Sequence, residues 1–227
     1  RSNEDLRQFS YAVSHDLQEP LRTIANFGQL VRRRYSQELP ETGREFLDLM
    51  IAGAQRMSGM LAELLRLAQA GADEHNEQRV PVQTSEALDR VSAALRQQIE
   101  ESQAVIRRQE PLPTVLAHRA QFEQVWQNLI GNAIRYRHPE RTPVIDIVAT
   151  RQGQEWLFQV RDNGIGFAPR DARRIFGVFA RLHGRDTPGT GIGLALCQRI
   201  VEAYGGRIWA EATPDVGATF FFTWPAA

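Results

Sequence analysis

From Leu6 to Tyr35 the apolar residues Leu6, Phe9, Val13, Leu17, Pro20, Ile24, Phe27 and Val31 recur every three or four positions, the spacing of one helical stripe. The pattern predicts a long amphipathic helix. Pro20 lies inside it; its ring opposes the carbonyl of Asp16 and it has no N–H, which predicts a bend one turn beyond His15. The polar stretch 37–42, with Pro40 inside it, interrupts the pattern. Then Phe46, Met50, Gly53, Met57, Met60, Leu64 and Leu67 alternate steps of four and three, the spacing of a second long helix. Two such helices joined by a short turn form an antiparallel hairpin. A lone hairpin leaves much of its apolar stripe in water, so a homodimer that closes a four-helix bundle is expected.

Residues 72–79 are polar and aperiodic, with Asp73, Glu74, His75, Asn76 and Glu77, as a boundary between domains should be. Beyond them the chain predicts a short strand at Arg79–Val82, a helix from Ser85 to about Ser102 and an extended piece at Val105–Arg107. A helix follows, carrying Phe122, Val125, Trp126, Leu129, Ile130 and Ala133. Strands are expected at Val144–Thr150, Trp156–Arg161, Arg207–Ala212 and Ala218–Trp224, with a helix at Gly193–Tyr204. Strands adjacent in sequence favour hairpins, hence a sheet covered by helices on one side rather than a doubly wound parallel sheet. The expected organisation is an all-α hairpin over 1–72, a linker at 73–79 and a mixed α/β sandwich over 80–227.

Composition narrows the function. The chain has 227 residues, 42% hydrophobic and 24% charged, the mix of a folded globular protein. Its 27 basic and 27 acidic side chains give a formal net charge of +0, which argues against a nucleic-acid partner. No Lys occurs, so Schiff-base chemistry and a Walker-type P-loop are excluded. One cysteine, Cys197, allows no internal disulfide and suits a reducing cytoplasm, and Thr219–Trp224 is too short to span a bilayer. A start at Arg1 with no signal-peptide pattern reads as a piece of a longer protein with further N-terminal domains.

His15 lies two residues from both Val13 and Leu17, about 200° around a helix, so it is expected to face solvent with Tyr11, Gln18, Glu19, Arg22 and Asn26. Asp16 can accept a hydrogen bond from one ring nitrogen and keep the other nucleophilic. Residues 14–22, Ser-His-Asp-Leu-Gln-Glu-Pro-Leu-Arg, resemble the phosphoacceptor box of sensor histidine kinases in its phytochrome-like form. The resemblance covers essentially the whole chain. It implies a dimerisation and phosphotransfer hairpin followed by a Bergerat-type (GHKL) ATP-binding domain, with phosphorylation on His15 and Asp16 as base or orienter. Glu19 stands where many bifunctional members carry the Thr or Asn of their phosphatase reaction.

Asn128 and Asn132, spaced i,i+4, share one side of a helix off its apolar face, and amide oxygens suit a Mg²⁺ ion that keeps phosphates and waters as its other ligands. Residues 128–136 resemble the N box. By that resemblance Asn132 coordinates Mg²⁺, Asn128 supports it, and Arg135 and Tyr136 touch phosphate or adenine; many members have Lys in place of Arg135. The acid at a strand end in Asp162-Asn163-Gly164-Ile165-Gly166 resembles the G1 box, in which Asp162 accepts from the adenine amino group beside Gly164 and Gly166. Gly189-x-Gly191-x-Gly193 runs into a helix whose N–H groups suit phosphate, and it matches the G2 box. Arg174–Arg181 resembles the F box. Residues between Gly166 and Gly189 would form a lid over ATP, with Arg181 and Arg185 as phosphate contacts.

The resemblance therefore implies ATP- and Mg²⁺-dependent autophosphorylation on His15, then transfer to an Asp of a response-regulator receiver domain. Arg181–Arg185 also resembles phytochrome-type kinases, which implies a red-light sensor upstream. Three rival readings are net dephosphorylation of the regulator, a non-catalytic ATP-binding scaffold, and a GHKL ATPase or protein-serine kinase, which has no use for the His15 box.

Overall fold

The computed structural model describes residues 2–69, 79–182 and 190–226; the side chains of 2–16 and of 69 lie outside the described residues. The chain divides into two compact units, Arg1–Gln69 and Ala70–Ala227. The expected linker falls almost wholly outside the described residues. No described helix is long and apolar enough to cross a membrane.

In the first unit α1 (Ser2–Tyr35) continues as one helix through Pro20. The turn that follows is held by the N–H groups of Glu38 and Leu39, both donating to the Tyr35 carbonyl at 3.0 Å, and α2 (Glu41–Gln69) returns. The helices approach closely where Ile51 packs on Gly28. Ala25, Ile51 and Ala54 are buried between them, and a Cβ on Gly28 would stand only 2.7 Å from Ile51 Cγ1. Several larger apolar residues point outward: Ile24, Phe27, Phe46, Met50 and Met57 are 46%, 62%, 66%, 58% and 48% exposed. Among the described residues, Leu17, Ile24, Phe27, Phe46, Met50 and Met57 of the stripe read from the sequence are therefore left in water by the single hairpin, an apolar surface that a monomer rarely tolerates.

The second unit holds a two-stranded sheet, β1 (Val80–Gln83) with β3 (Thr114–Ala117), and a five-stranded sheet. The larger sheet runs in the order β2 (Val105–Arg108), β4 (Val144–Gln152), β5 (Glu155–Asp162), β7 (Gly217–Pro225), β6 (Ile208–Thr213). Only the β2–β4 pair is parallel. Ile147 faces Val160 across β4–β5, and Phe158 faces Phe222 across β5–β7, so one sheet face is continuously apolar. Against it pack α5 (Arg119–Arg135) and α6 (Gly193–Ala203). The core is aromatic. Trp126 lies 5.5 Å from Phe158 and 5.2 Å from Phe222, edge to face, and all three are fully buried. Each such burial stabilises by about 1.5–3 kcal/mol. Asp146, Arg161 and Glu211 alternate with these residues on the opposite sheet face. The one-sided sandwich is the expected fold.

Two details differ from the sequence reading. The helix expected over 85–102 is two, α3 (Thr84–Ala94) and α4 (Arg96–Ser102), broken at Leu95, whose φ −95°, ψ 8° lets that side chain stay buried while α4 buries none of its residues. Strand β3 was not expected. Four residues between Pro113 and His118 give too short a run for periodicity to register.

Candidate functional site

Strand β5 delivers Asp162 to the edge of the apolar core, where it is half-buried opposite Ile145. Its Oδ1 accepts the N–H of Gly164 at 2.9 Å and of Ala218 at 3.2 Å; its Oδ2 has no partner among the described residues. Burial raises the pKa of this carboxyl above the usual carboxylate value, and the two N–H bonds only partly offset it. The loop after Asp162 needs its glycines. Gly166 sits at φ +60°, and a Cβ there would meet the Thr213 carbonyl oxygen at 2.1 Å. A Cβ on Gly164 would meet that of Tyr136 at 2.4 Å.

Asp162 lines a small cavity of about 80 Å³, open on one side. Asn132 and Tyr136 reach it from α5 and its end, Arg181 from the segment before residue 182, and Gly166 from the loop. Phe167, Ile175, Leu182, Leu194 and Phe220 make its walls apolar. Phe167 was missed by sequence reasoning; its only signal was a large apolar residue directly after the glycine loop. Asn132 Oδ1 accepts from Arg135 Nη1 at 3.3 Å on the exposed side of the helix.

Asn128 behaves differently from Asn132. Its Nδ2 donates to the Gly193 carbonyl at 3.2 Å and its Oδ1 accepts from Gln124 at 3.4 Å, so it ties α5 to the first residue of α6 and does not line the cavity. Gly191, at φ +74°, packs against the backbone of Phe179 and Ala180, and Gly193 fits against the Asn128 amide. Arg185 and Gly189 lie outside the described residues. Cys197 is fully buried and its thiol is pushed up to about 12 by that burial.

On the hairpin, His15 and Asp16 occupy α1, and their side chains lie outside the described residues. One turn on, exposed Glu19 and Arg22 share a polar groove with Gln18 and Asn26 of α1 and with Gln55 and Ser58 of α2.

Residues 117–227, which hold the cavity, match the model of the histidine kinase-, DNA gyrase B- and HSP90-like ATPase family. Residues 5–73 match the His Kinase A (phospho-acceptor) domain. The chain belongs to the histidine kinases. This histidine kinase core is 45% identical over 99% of its length to cyanobacterial phytochrome A of Nostoc sp., and 42% identical over 99% to the phytochrome-like protein Cph1 of Synechocystis sp.. It spans only 29% and 30% of those curated relatives. A solved structure of full-length ShkA in complex with AMPPNP superposes with a TM-score of 0.76 at 26% identity, covering 97% of this chain and 46% of that one.

The cavity fits a nucleotide on its own chemistry. It offers one carboxylate oxygen for an amino donor, apolar walls for a ring, and Arg181 for an anion. For a metal, the described residues contain no cluster of three or more His, Cys, Asp or Glu. Asn132 supplies one neutral hard oxygen, which suits Mg²⁺ sharing its coordination with phosphates and water.

Proposed function

We propose that this chain is the catalytic core of a phytochrome-type sensor histidine kinase. In this reading it phosphorylates His15 with ATP and passes the phosphoryl group to an aspartate of a response-regulator receiver domain. Residues 1–72 serve as the dimerisation and phosphotransfer hairpin, 73–79 as linker and 80–227 as the ATP-binding domain. The observation that carries the reading is the Asp162 cavity within the ATPase-family segment of a chain whose other segment matches the phospho-acceptor domain.

Asp162 Oδ2 accepts from the adenine amino group, and the walls made by Phe167, Ile175 and Phe220 exclude water from the ring. Arg135 and Tyr136 touch phosphate or adenine and Arg181 faces the phosphates, joined by Arg185 and by the N–H groups of Gly189, Gly191 and Gly193. Asn132 is the metal ligand, and Asn128 supports the site by holding Gly193 in place. Bound Mg²⁺ supplies charge neutralisation at the phosphates. In the reaction a His15 ring nitrogen forms an N–P bond to the γ-phosphorus as the bond from that phosphorus to the bridging oxygen breaks and ADP leaves. Asp16 orients the ring and takes its proton. Positioning and electrostatics provide nearly all of the acceleration.

The exposed stripe of Ile24, Phe27, Phe46, Met50 and Met57 supports a homodimer, which closes the bundle with a second copy. The test is incubation of the purified chain with γ-labelled ATP and Mg²⁺. Acid-labile, base-stable label is expected on the chain and absent from His15→Gln, which keeps nucleotide affinity. Undiminished labelling of that variant overturns the assignment of His15.

A further inference from the structure

Arg141 lies outside every motif singled out in the sequence, yet it joins the two loops that hold the Asp162 carboxylate. Its Nη1 donates to the carbonyl of Asn163 at 3.5 Å and its Nη2 to the carbonyl of Asp215, 74 residues away in sequence. Those carbonyls belong to the loop after β5 and to the turn between β6 and β7. The two N–H groups on Asp162 Oδ1 come from the same places: Gly164 in that loop and Ala218 just after that turn. The Asp215 N–H donates to the Ile165 carbonyl at 2.8 Å, a second tie between them. Asn163 completes the brace from the other side, its Nδ2 donating to the Thr142 carbonyl at 2.9 Å and its Oδ1 accepting from the Val144 N–H at 2.8 Å. The segment that carries Arg141 is thus itself pinned to the loop that Arg141 holds.

We propose that Arg141 is a positioning residue for adenine recognition: its guanidinium fork locks the 163–166 loop to the 213–217 turn, so that both backbone donors stay on Asp162 Oδ1 and Oδ2 stays turned to the cavity. The inference rests on the reading of Asp162 as the adenine acceptor. A forked, always-charged side chain is suited to bridging two carbonyls, whereas the single ammonium of lysine is not.

The consequence is a pH profile. N–H donors favour the ionised carboxylate, which burial disfavours. An adenine amino group needs the ionised form, so affinity falls as the pH drops through the Asp162 pKa. Loosening the brace withdraws the donors and moves that fall to higher pH. Among the described residues the other ionisable groups around Asp162 are Tyr136 and Arg181 in the cavity, and Asp146, Arg161 and Glu211 on the groove behind it. All remain in the variants, as do Asp215 and the phosphate titration of the nucleotide.

The experiment measures the dissociation constant of ATP by calorimetry from acid to neutral pH for the whole chain and for Arg141→Gln, Arg141→Lys, Asn163→Ala and Asp162→Asn. Arg141→Gln and Arg141→Lys are both expected to bind about tenfold more weakly at neutral pH, with the acid fall moved upward. Asn163→Ala is expected to follow them from the opposite side of the brace. A wild-type profile in both Arg141 variants overturns the proposal. So does full rescue by Lys, which would mean that only the charge of Arg141 matters. If Asp162→Asn binds ATP as tightly as wild type, it is the adenine reading itself that fails, whatever the Arg141 variants do.

Discussion

Asp162 stands between two demands. Burial disfavours its charge, so its pKa in the fold is raised, and a raised carboxyl contributes stability that is fully present below its unfolded pKa and lost as the pH rises through the folded one. Where it is ionised, the group therefore costs stability, and in the proposed reading recognition of the adenine amino group offsets that cost. Asp162→Asn keeps an oxygen for the Gly164 and Ala218 N–H groups but carries no charge. Its Tm without nucleotide is expected to exceed that of wild type at neutral pH, with the difference vanishing in acid. Its ATP affinity is expected to fall by about 1.5–3 kcal/mol, the range for a hydrogen bond to a charged group, as titration calorimetry would show. Asn132 calls for a different outcome. Its amide oxygen is suited to a metal and accepts a hydrogen bond from Arg135. Asn132→Ala should remove Mg²⁺-dependent labelling while weakening nucleotide binding far less; equal losses of both would point to a damaged fold instead.

Among the elements, α5 and α6 are joined twice, through the core and through the Asn128–Gly193 hydrogen bond that fixes where α6 begins. Cys197 lies in that joint, fully buried near the Val125 carbonyl, with its thiol pushed up to about 12. A thiol reagent at neutral pH should therefore leave the native chain unlabelled and modify it at the rate of unfolding, which mass spectrometry can follow through a denaturant series. In the hairpin the contact of α1 with α2 buries Ala25, Ile51 and Ala54, while Ile24, Phe27, Phe46, Met50 and Met57 face a second surface. Met50→Asp places a charge in the middle of that surface without touching Ala25, Ile51 or Ala54. Sedimentation should show the wild type as a dimer and Met50→Asp shifted to monomer. A wild type that is monomeric at all concentrations would overturn the bundle.

At the scale of the whole molecule, periodicity along the chain determined the two long helices, the helices α5 and α6, and the strands that form the one-sided sheet, because helical and extended repeats are local properties that each segment carries with it. The glycine, asparagine and aspartate boxes were legible through their resemblance to the family, each being a short run whose spacing is kept by its own turn or helix. What only the tertiary structure decided was which side chains meet. Asn128 and Asn132 look equivalent on the helix, and the position of α6 alone makes one a brace and the other part of the cavity wall. Phe167 gained its place from a loop packed on the 213–217 turn, and Leu95 broke a helix in order to stay buried. Arg141 reaches Asp215 only because β5 pairs with β7, and that pairing brings together residues far apart in sequence, a relation no local repeat encodes.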